Sequence, residues 1–195
     1  MPGRPPLVVV LAGPNGAGKT TMAPRLLRDA LTVAEFVNAD PIATGLSSFR
    51  PESVAMLAGR VMLARMKTLA QARQDFAFET TLASRSFAPW LRGLRDSGYR
   101  VHLTFLSLPH PDVAVARVAE RVRQGGHDVP EPGVRRRFAA GLRNFVSLYR
   151  GVADTWQMFD NSATSGPRLI ATGCAGQAAH VIDTGAWTRF VKSRP

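Results

Sequence analysis

The sequence predicts an α/β fold in three layers, a parallel sheet of about five strands between helices, and three observations predict it. Short β-rich runs alternate with longer amphipathic stretches, the pattern of βαβ units on a parallel sheet. The first run, Leu7-Val8-Val9-Val10-Leu11-Ala12, does not alternate, so it reads as a strand buried on both faces. It leads directly into Gly13-Pro14-Asn15-Gly16-Ala17-Gly18-Lys19-Thr20, a glycine-rich loop that opens the next helix.

In chain order, the helix after that loop should span about 19–30, and residues 35–38 give a short second strand ending at Ala39-Asp40. After a loop at 45–48, Pro51 suits a helix first turn, Glu52 complements the helix dipole, and the helix runs to about Arg73. Residues 75–78 form the third strand, with Glu79-Thr80-Thr81 at its carboxyl end. A helix at about 86–97 stops at Gly98, a favourable residue just past a helix end, and 99–106 is the fourth strand. Another helix follows Pro111-Asp112 and reaches the punctuated segment 124–132. A helical stretch from Val134 to about Phe159, a last strand at 168–171 and a terminal helix at 187–191 complete the reading. The three tryptophans and most methionines sit at helical spacing and read as core.

A chain of 195 residues, 45% of them hydrophobic, is long enough for one sizeable core and short for two enzyme domains, so 1–195 reads as a single domain. The net charge of +11 rests almost wholly on arginine, since Lys19, Lys67 and Lys192 are the only lysines. That skew weakens the case for nucleic acid as the partner, because a whole-chain preference for arginine needs clustering to make a specific surface, and only a partial cluster exists, from Arg117 to Arg150. The lone cysteine, Cys174, cannot form an internal disulfide; it reads as a small buried side chain in a reducing compartment. The apolar run at 7–12 is one strand long rather than a signal peptide, and no stretch approaches the roughly 18 apolar residues of a membrane span. The expectation is a soluble, cytoplasmic protein.

The loop carries the pattern G-x-x-x-x-G-K-[ST], in which glycines let successive backbone N–H groups point at phosphate oxygens. Gly13 to Thr20, with Thr21, would hold the nucleotide: Lys19 reaches the β- and γ-phosphates and Thr20 ligates Mg²⁺. The fold expectation narrows to a kinase-like P-loop NTPase that uses ATP and Mg²⁺. No GTPase-type Asn-Lys-x-Asp occurs. Asp40 and Glu79 end the second and third strands, and ligands of open parallel sheets bind outside the carboxyl ends of the strands, so both should face the crevice of Lys19. The blander alternatives are that Asp40 caps a turn before Pro41 and that Glu79 pairs with a surface arginine.

The loop at 13–21, Phe36-Val37-Asn38-Ala39-Asp40, Phe76-Ala77-Phe78-Glu79-Thr80-Thr81-Leu82 and Arg121-Val122-Arg123-Gln124-Gly125-Gly126-His127 together resemble the zeta-toxin family of P-loop kinases, over about residues 7–172. Zeta toxins phosphorylate the 3′-hydroxyl of UDP-N-acetylamino sugars and are restrained by a small antitoxin protein. The resemblance implies Asp40 as catalytic base and Glu79 and Thr81 as sugar-nucleotide contacts. Where the toxins carry an arginine two residues beyond the contact threonine, this chain has Ala83, with Arg85 two residues further as the substitute contact.

Residues 121–137 read as a helical lid, because arginines flank a Gly125-Gly126 hinge and a proline-bounded loop. Arg121 and Arg123 are the arginines expected to meet charge on the transferring phosphoryl group. His127 reads as a structural or hinge residue. The sequence thus points to an ATP-dependent kinase for a small hydroxylated acceptor. The rivals are a P-loop kinase for a nucleoside or polynucleotide 5′ end, and a nucleotide-binding module without transfer activity.

Overall fold

The computed structural model describes residues 4–192. Its centre is a seven-stranded sheet in the order β2-β3-β1-β4-β5-β6-β7. The strands are β1 (Leu7–Ala12), β2 (Glu35–Val37), β3 (Phe76–Thr80), β4 (Arg100–Ser107), β5 (Thr155–Asp160), β6 (Arg168–Cys174) and β7 (His180–Val181). The first five run parallel, and β6 and β7 add antiparallel strands at one edge. The expected number of parallel strands is met, but the fifth is 155–160, whereas 168–171 belongs to an antiparallel strand.

The helices are α1 (Lys19–Ala23), α2 (Ala39–Leu46), α3 (Ala55–Gln71), α4 (Phe87–Asp96), α5 (Pro111–Arg123), α6 (Glu131–Asn144), α7 (Arg150–Val152) and α8 (Thr184–Lys192). A π-helical stretch, Pro24–Ala30, prolongs α1 from the point where Pro24 brings no amide hydrogen. A second one, Phe145–Tyr149, joins α6 to α7.

Alternate side chains of β1 face opposite layers. Val8, Val10 and Ala12 pack with Met62 and Met66 of α3, Leu91 of α4, and Phe145. Val9 and Leu11 pack with Ala23 and Leu27 on the other side, where Ala114 and Val118 of α5 cover Leu106. Phe145 stacks on Phe105 with ring centroids 4.5 Å apart, a contact of the kind that adds about 0.5–1.5 kcal/mol beyond burial.

Two expected elements differ from those observed. The helix after Val134 ends near residue 152, because 155–160 is a strand inside the sheet whose Trp156, Met158 and Asp160 are buried while their neighbours are half-buried. Trp156 and Met158 are therefore core residues of a strand, and Met56 is 77% exposed rather than core. Asp40 does not end a strand: it lies in the first turn of α2, whose N-cap Asn38 accepts a hydrogen bond from the Asp40 amide at 2.9 Å. Pro41 does not break this helix, since first-turn residues need no amide hydrogen. Cys174 is exposed at the end of β6, not buried. No helix among the described residues is long and apolar enough to cross a membrane.

His102 on β4 shows how burial sets charge in this sheet. Its ring nitrogens meet the hydroxyls of Thr155 at 2.8 Å and Thr104 at 3.2 Å. Burial pushes its pKa down from 6.5 to about 4, and the Arg100 charge pushes the same way. Between those values the unfolded chain binds a proton that the folded protein does not, so stability should fall as pH drops from about 6.5 to about 4 and the loss should level off below that. Denaturant midpoints of the parent and of His102→Gln should therefore differ by an amount that changes across this window. A pH-independent difference would show that the ring is not held neutral.

Candidate functional site

Strand register assembles the site. Leu11 of β1 pairs with Glu79 of β3, and Val37 of β2 pairs with Phe78, which sets Asn38 alongside Glu79. The segments leaving β1, β2 and β3 at their carboxyl ends therefore meet at one point.

The loop after β1 is built around absent side chains. A Cβ on Gly13 (φ 144°) would lie 2.2 Å from the Leu106 carbonyl oxygen, and one on Gly18 (φ 81°) would lie 2.6 Å from Nδ2 of Asn161. Both positions combine a left-handed backbone with lack of space, so only glycine fits. Asn15 and Ala17 are buried in the loop, and Asn15 Oδ1 has no hydrogen-bond partner among the described residues. Gly18 is the N-cap of α1, so the positive end of the helix opens at the loop.

Lys19 is buried at the centre. Its Nζ donates to the carbonyls of Gly13 and Pro14, each at 2.9 Å, and lies 3.5 Å from Glu79 Oε1. Burial pushes its pKa below the usual lysine value, the charges of Glu79 and Asp40 oppose that shift, and Arg121 reinforces it. Asp40, Glu79, Arg121 and Lys19 thus share one electrostatic centre. Glu79 Oε2 accepts from Thr20 Oγ1 at 2.8 Å and from Asn38 Nδ2 at 3.0 Å, so its carboxylate turns toward the loop. A hydroxyl and a carboxylate in contact are hard oxygen donors that suit Mg²⁺, which takes its remaining ligands from phosphates and water. No group of three or more His, Cys, Asp or Glu that could hold a metal occurs among the described residues. A nucleotide-bound Mg²⁺ does not need one.

Beyond Glu79 the chain turns through a loop held from α6. Leu82 adopts φ 54°, and Asn144 Nδ2 donates to the carbonyls of Leu82 at 2.8 Å and Ala83 at 3.2 Å. Tyr149 donates to the Ser84 carbonyl at 2.7 Å, and a Cβ on Gly141 would strike the Thr81 carbonyl oxygen. Thr81 is half-buried in this loop and Arg85 is exposed at its outer end.

The two arginines singled out from sequence part company. Arg121 is half-buried and its Nη2 donates to the His127 carbonyl at 2.6 Å, with its side chain lying over Gly126. Arg123 is exposed and paired with Glu120, away from Lys19. Arg135 is likewise bound to Glu131 and Asp112.

Sequence reading gave no role to Arg117 or Asn161. Arg117 donates to the carbonyls of Asn161 at 2.7 Å and Ser162 at 2.9 Å, and more distantly to Gly16. Asn161 Nδ2 donates to the Ala17 carbonyl at 2.8 Å. Together they stitch the segment after β5 to the glycine loop, and beside them opens a cavity of about 580 Å³ lined by Thr21, Met22, Leu26 and Phe159. Their contacts span 44 to 144 residues of sequence.

The family model for the AAA domain matches residues 8–148, which include the glycine loop, Asp40, Glu79 and both arginines of 121–123. The chain belongs to this family. An uncharacterized protein of Haemophilus influenzae is similar to this AAA-domain chain, 26% identical over 130 residues that cover 67% of the chain and 91% of that protein. Among solved structures, the AvrRxo1-ORF1:AvrRxo1-ORF2 complex with sulphate ions matches with a TM-score of 0.74 at 15% identity, over 97% of this chain and 64% of that one. The same complex with ATP matches with a TM-score of 0.73 at 16% identity and the same coverage. This chain thus spans under two thirds of the AvrRxo1 chains it resembles. The PezAT chromosomal toxin–antitoxin system of Streptococcus pneumoniae matches with a TM-score of 0.68 at 14% identity, over 96% of this chain and 79% of that one. The fold is P-loop kinase-like, and the zeta-toxin resemblance read from sequence agrees with this likeness of fold.

The stitch between α5 and the segment after β5 generates a direct expectation. Arg117→Met keeps an unbranched aliphatic stem and removes the donors, so amides of 161–166 should exchange faster by at least about tenfold, the equivalent of one or two lost hydrogen bonds. Unchanged exchange there would mean that other contacts hold the segment.

Proposed function

We propose that this chain is an ATP-dependent phosphotransferase that moves the γ-phosphoryl group to a hydroxyl of a small acceptor, with a UDP-N-acetylamino sugar as the candidate. The observation that carries the reading is a buried Lys19 in a phosphate-cradling loop, with the Glu79 carboxylate 3.5 Å from its ammonium and Asp40 in the first turn of the helix that Asn38, bonded to Glu79, caps. A passive nucleotide binder has no use for the carboxylate of Asp40 at that position. The crystallised relative with ATP supports the donor, and the likeness of fold to toxin–antitoxin proteins supports a small antitoxin protein as partner.

In this reading the backbone of residues 13–18 and the Lys19 ammonium bind the donor phosphates, while Thr20 would hold Mg²⁺. Mg²⁺ held there would supply charge neutralisation to the donor phosphates. Asp40 accepts the proton of the acceptor hydroxyl as it attacks, and Thr81 and Arg85 orient the acceptor with Glu79 at the inner end of the same loop. Arg121 stabilises charge on the transferring group from a lid at 121–137, and Arg123 joins it only if the lid turns it away from Glu120.

An ATP-consumption screen with UDP-N-acetylglucosamine, nucleosides and a 5′-hydroxyl oligonucleotide as acceptors tests this. Transfer to the sugar nucleotide is the expected result; transfer to the oligonucleotide alone would favour the polynucleotide rival, and ATP binding with no transfer to any of them would favour the passive module. Asp40→Asn should leave ATP affinity nearly unchanged and lower transfer by about 10²- to 10⁴-fold. Lys19→Ala should abolish tight MgATP binding, measured by calorimetry, while the far-ultraviolet circular dichroism of the fold persists. Equal affinity in that variant and the parent would remove the phosphate-binding claim.

A further inference from the structure

Asn38 is buried, 7% exposed, and uses both ends of its amide. Its Oδ1 caps α2 by accepting from the Asp40 amide at 2.9 Å. That bond fixes the orientation of the amide, because only oxygen accepts, and so Nδ2 must face Glu79 Oε2 at 3.0 Å. Thr20 Oγ1 donates to the same oxygen at 2.8 Å, while Glu79 Oε1 stands 3.5 Å from Lys19 Nζ, wider than a hydrogen bond. Glu79 is therefore suspended between two neutral donors on one side and a buried ammonium on the other.

We propose that Asn38 is a positioning residue that holds the Glu79 carboxylate off Lys19, leaving the ammonium available to phosphate. The inference rests on the reading of Lys19 as the phosphate-binding lysine. It goes beyond that reading in assigning work to Asn38, to which the reading gives no part. When Thr20 turns its hydroxyl to a metal ion, Asn38 is the neutral donor that remains on Oε2. Without it, the carboxylate closes the remaining gap to Nζ, and a buried ammonium in a full ion pair is a poorer phosphate ligand. The same side chain starts the helix that bears Asp40, so one amide sets both carboxylates relative to the loop.

The test is a double-substitution cycle read by calorimetric MgATP binding. Asn38→Ser keeps a residue that caps helices well but is too short to reach Glu79. In the parent background it should weaken MgATP binding by about tenfold, the scale of one charge-assisted hydrogen bond. In a Glu79→Gln background, where no carboxylate can pair with Lys19, the same substitution should change affinity by less than about twofold. An equal loss in both backgrounds, or no loss in the first, would overturn the proposal and leave Asn38 as a helix cap only. Thermal melts check that each variant folds, and Asn38→Thr provides a second capping variant if the serine form does not. A parent that fails to bind MgATP would instead overturn the phosphate-binding reading itself, a result distinct from either pattern in the cycle.

Discussion

A lysine ammonium removed from water is the constraint on which this structure depends. Charge buried without partners costs several kcal/mol, and Lys19 is buried before any nucleotide arrives. Two backbone carbonyls and a carboxylate at longer range hold it meanwhile. Each of these partners demands something of the fold. The carbonyl of Gly13 is aimed by a backbone that no side chain permits, and Glu79 is brought to the ammonium by the register of β3 on β1. The order of the sheet is thus tied to one cation through specific strand pairs.

The neighbouring loop carries a second strain that the fold offsets locally. A non-glycine residue with positive φ, as at Leu82, costs of order 1 kcal/mol or more and persists only where its surroundings over-determine it. Here α6 and the π-helical turn after it supply that determination, through Asn144, Tyr149 and the close approach of Gly141. The loop that leads away from Glu79 is therefore fixed to the same helix whose first turns carry Arg135, 136 and 137. A displacement of that helix would be felt by the loop directly, since their contacts are hydrogen bonds to backbone rather than side-chain packing alone.

What was legible in the sequence was local. The glycine loop declares itself because its chemistry is written in eight successive residues, and the first, third and fourth strands because they are short, apolar and bounded by turn residues. The helix bearing Asp40 was missed because Pro41 reads as a break, although Asn38 followed by an acid and a proline is also the signature of a helix start. The strand at 155–160 was hidden because the nearest preceding glycine, Gly151, lies within α7 rather than past the helix end, so it does not mark the change. Arg117 and Asn161 were illegible for a different reason: their partners lie on the glycine loop and at the end of β5, and no short-range pattern encodes a bond to a distant carbonyl.

The arginine excess takes on a different meaning once those bonds are in view. Arg73, Arg95, Arg117 and Arg121 each donate to a backbone carbonyl, which closes a turn or joins two segments. Arg65, Arg123, Arg135 and Arg168 are set against carboxylates. A guanidinium suits both tasks because its planar fork reaches two acceptors at once. Arg95 also pairs with Asp154 at 2.9 Å, whereas the bonds of Arg117 and Arg121 to carbonyls staple them without neutralising them, since a carbonyl carries no net charge. Arg117 and Arg121 lie within the reach of the glycine loop, one bonded beside it and the other acting on Lys19. Residues that hold the fold therefore also add positive charge beside the glycine loop, where it opposes the carboxylates of Asp40 and Glu79. Two of the arginines behind the net charge of +11 are thus placed around the glycine loop by the architecture that holds that loop to α5 and to the segment after β5.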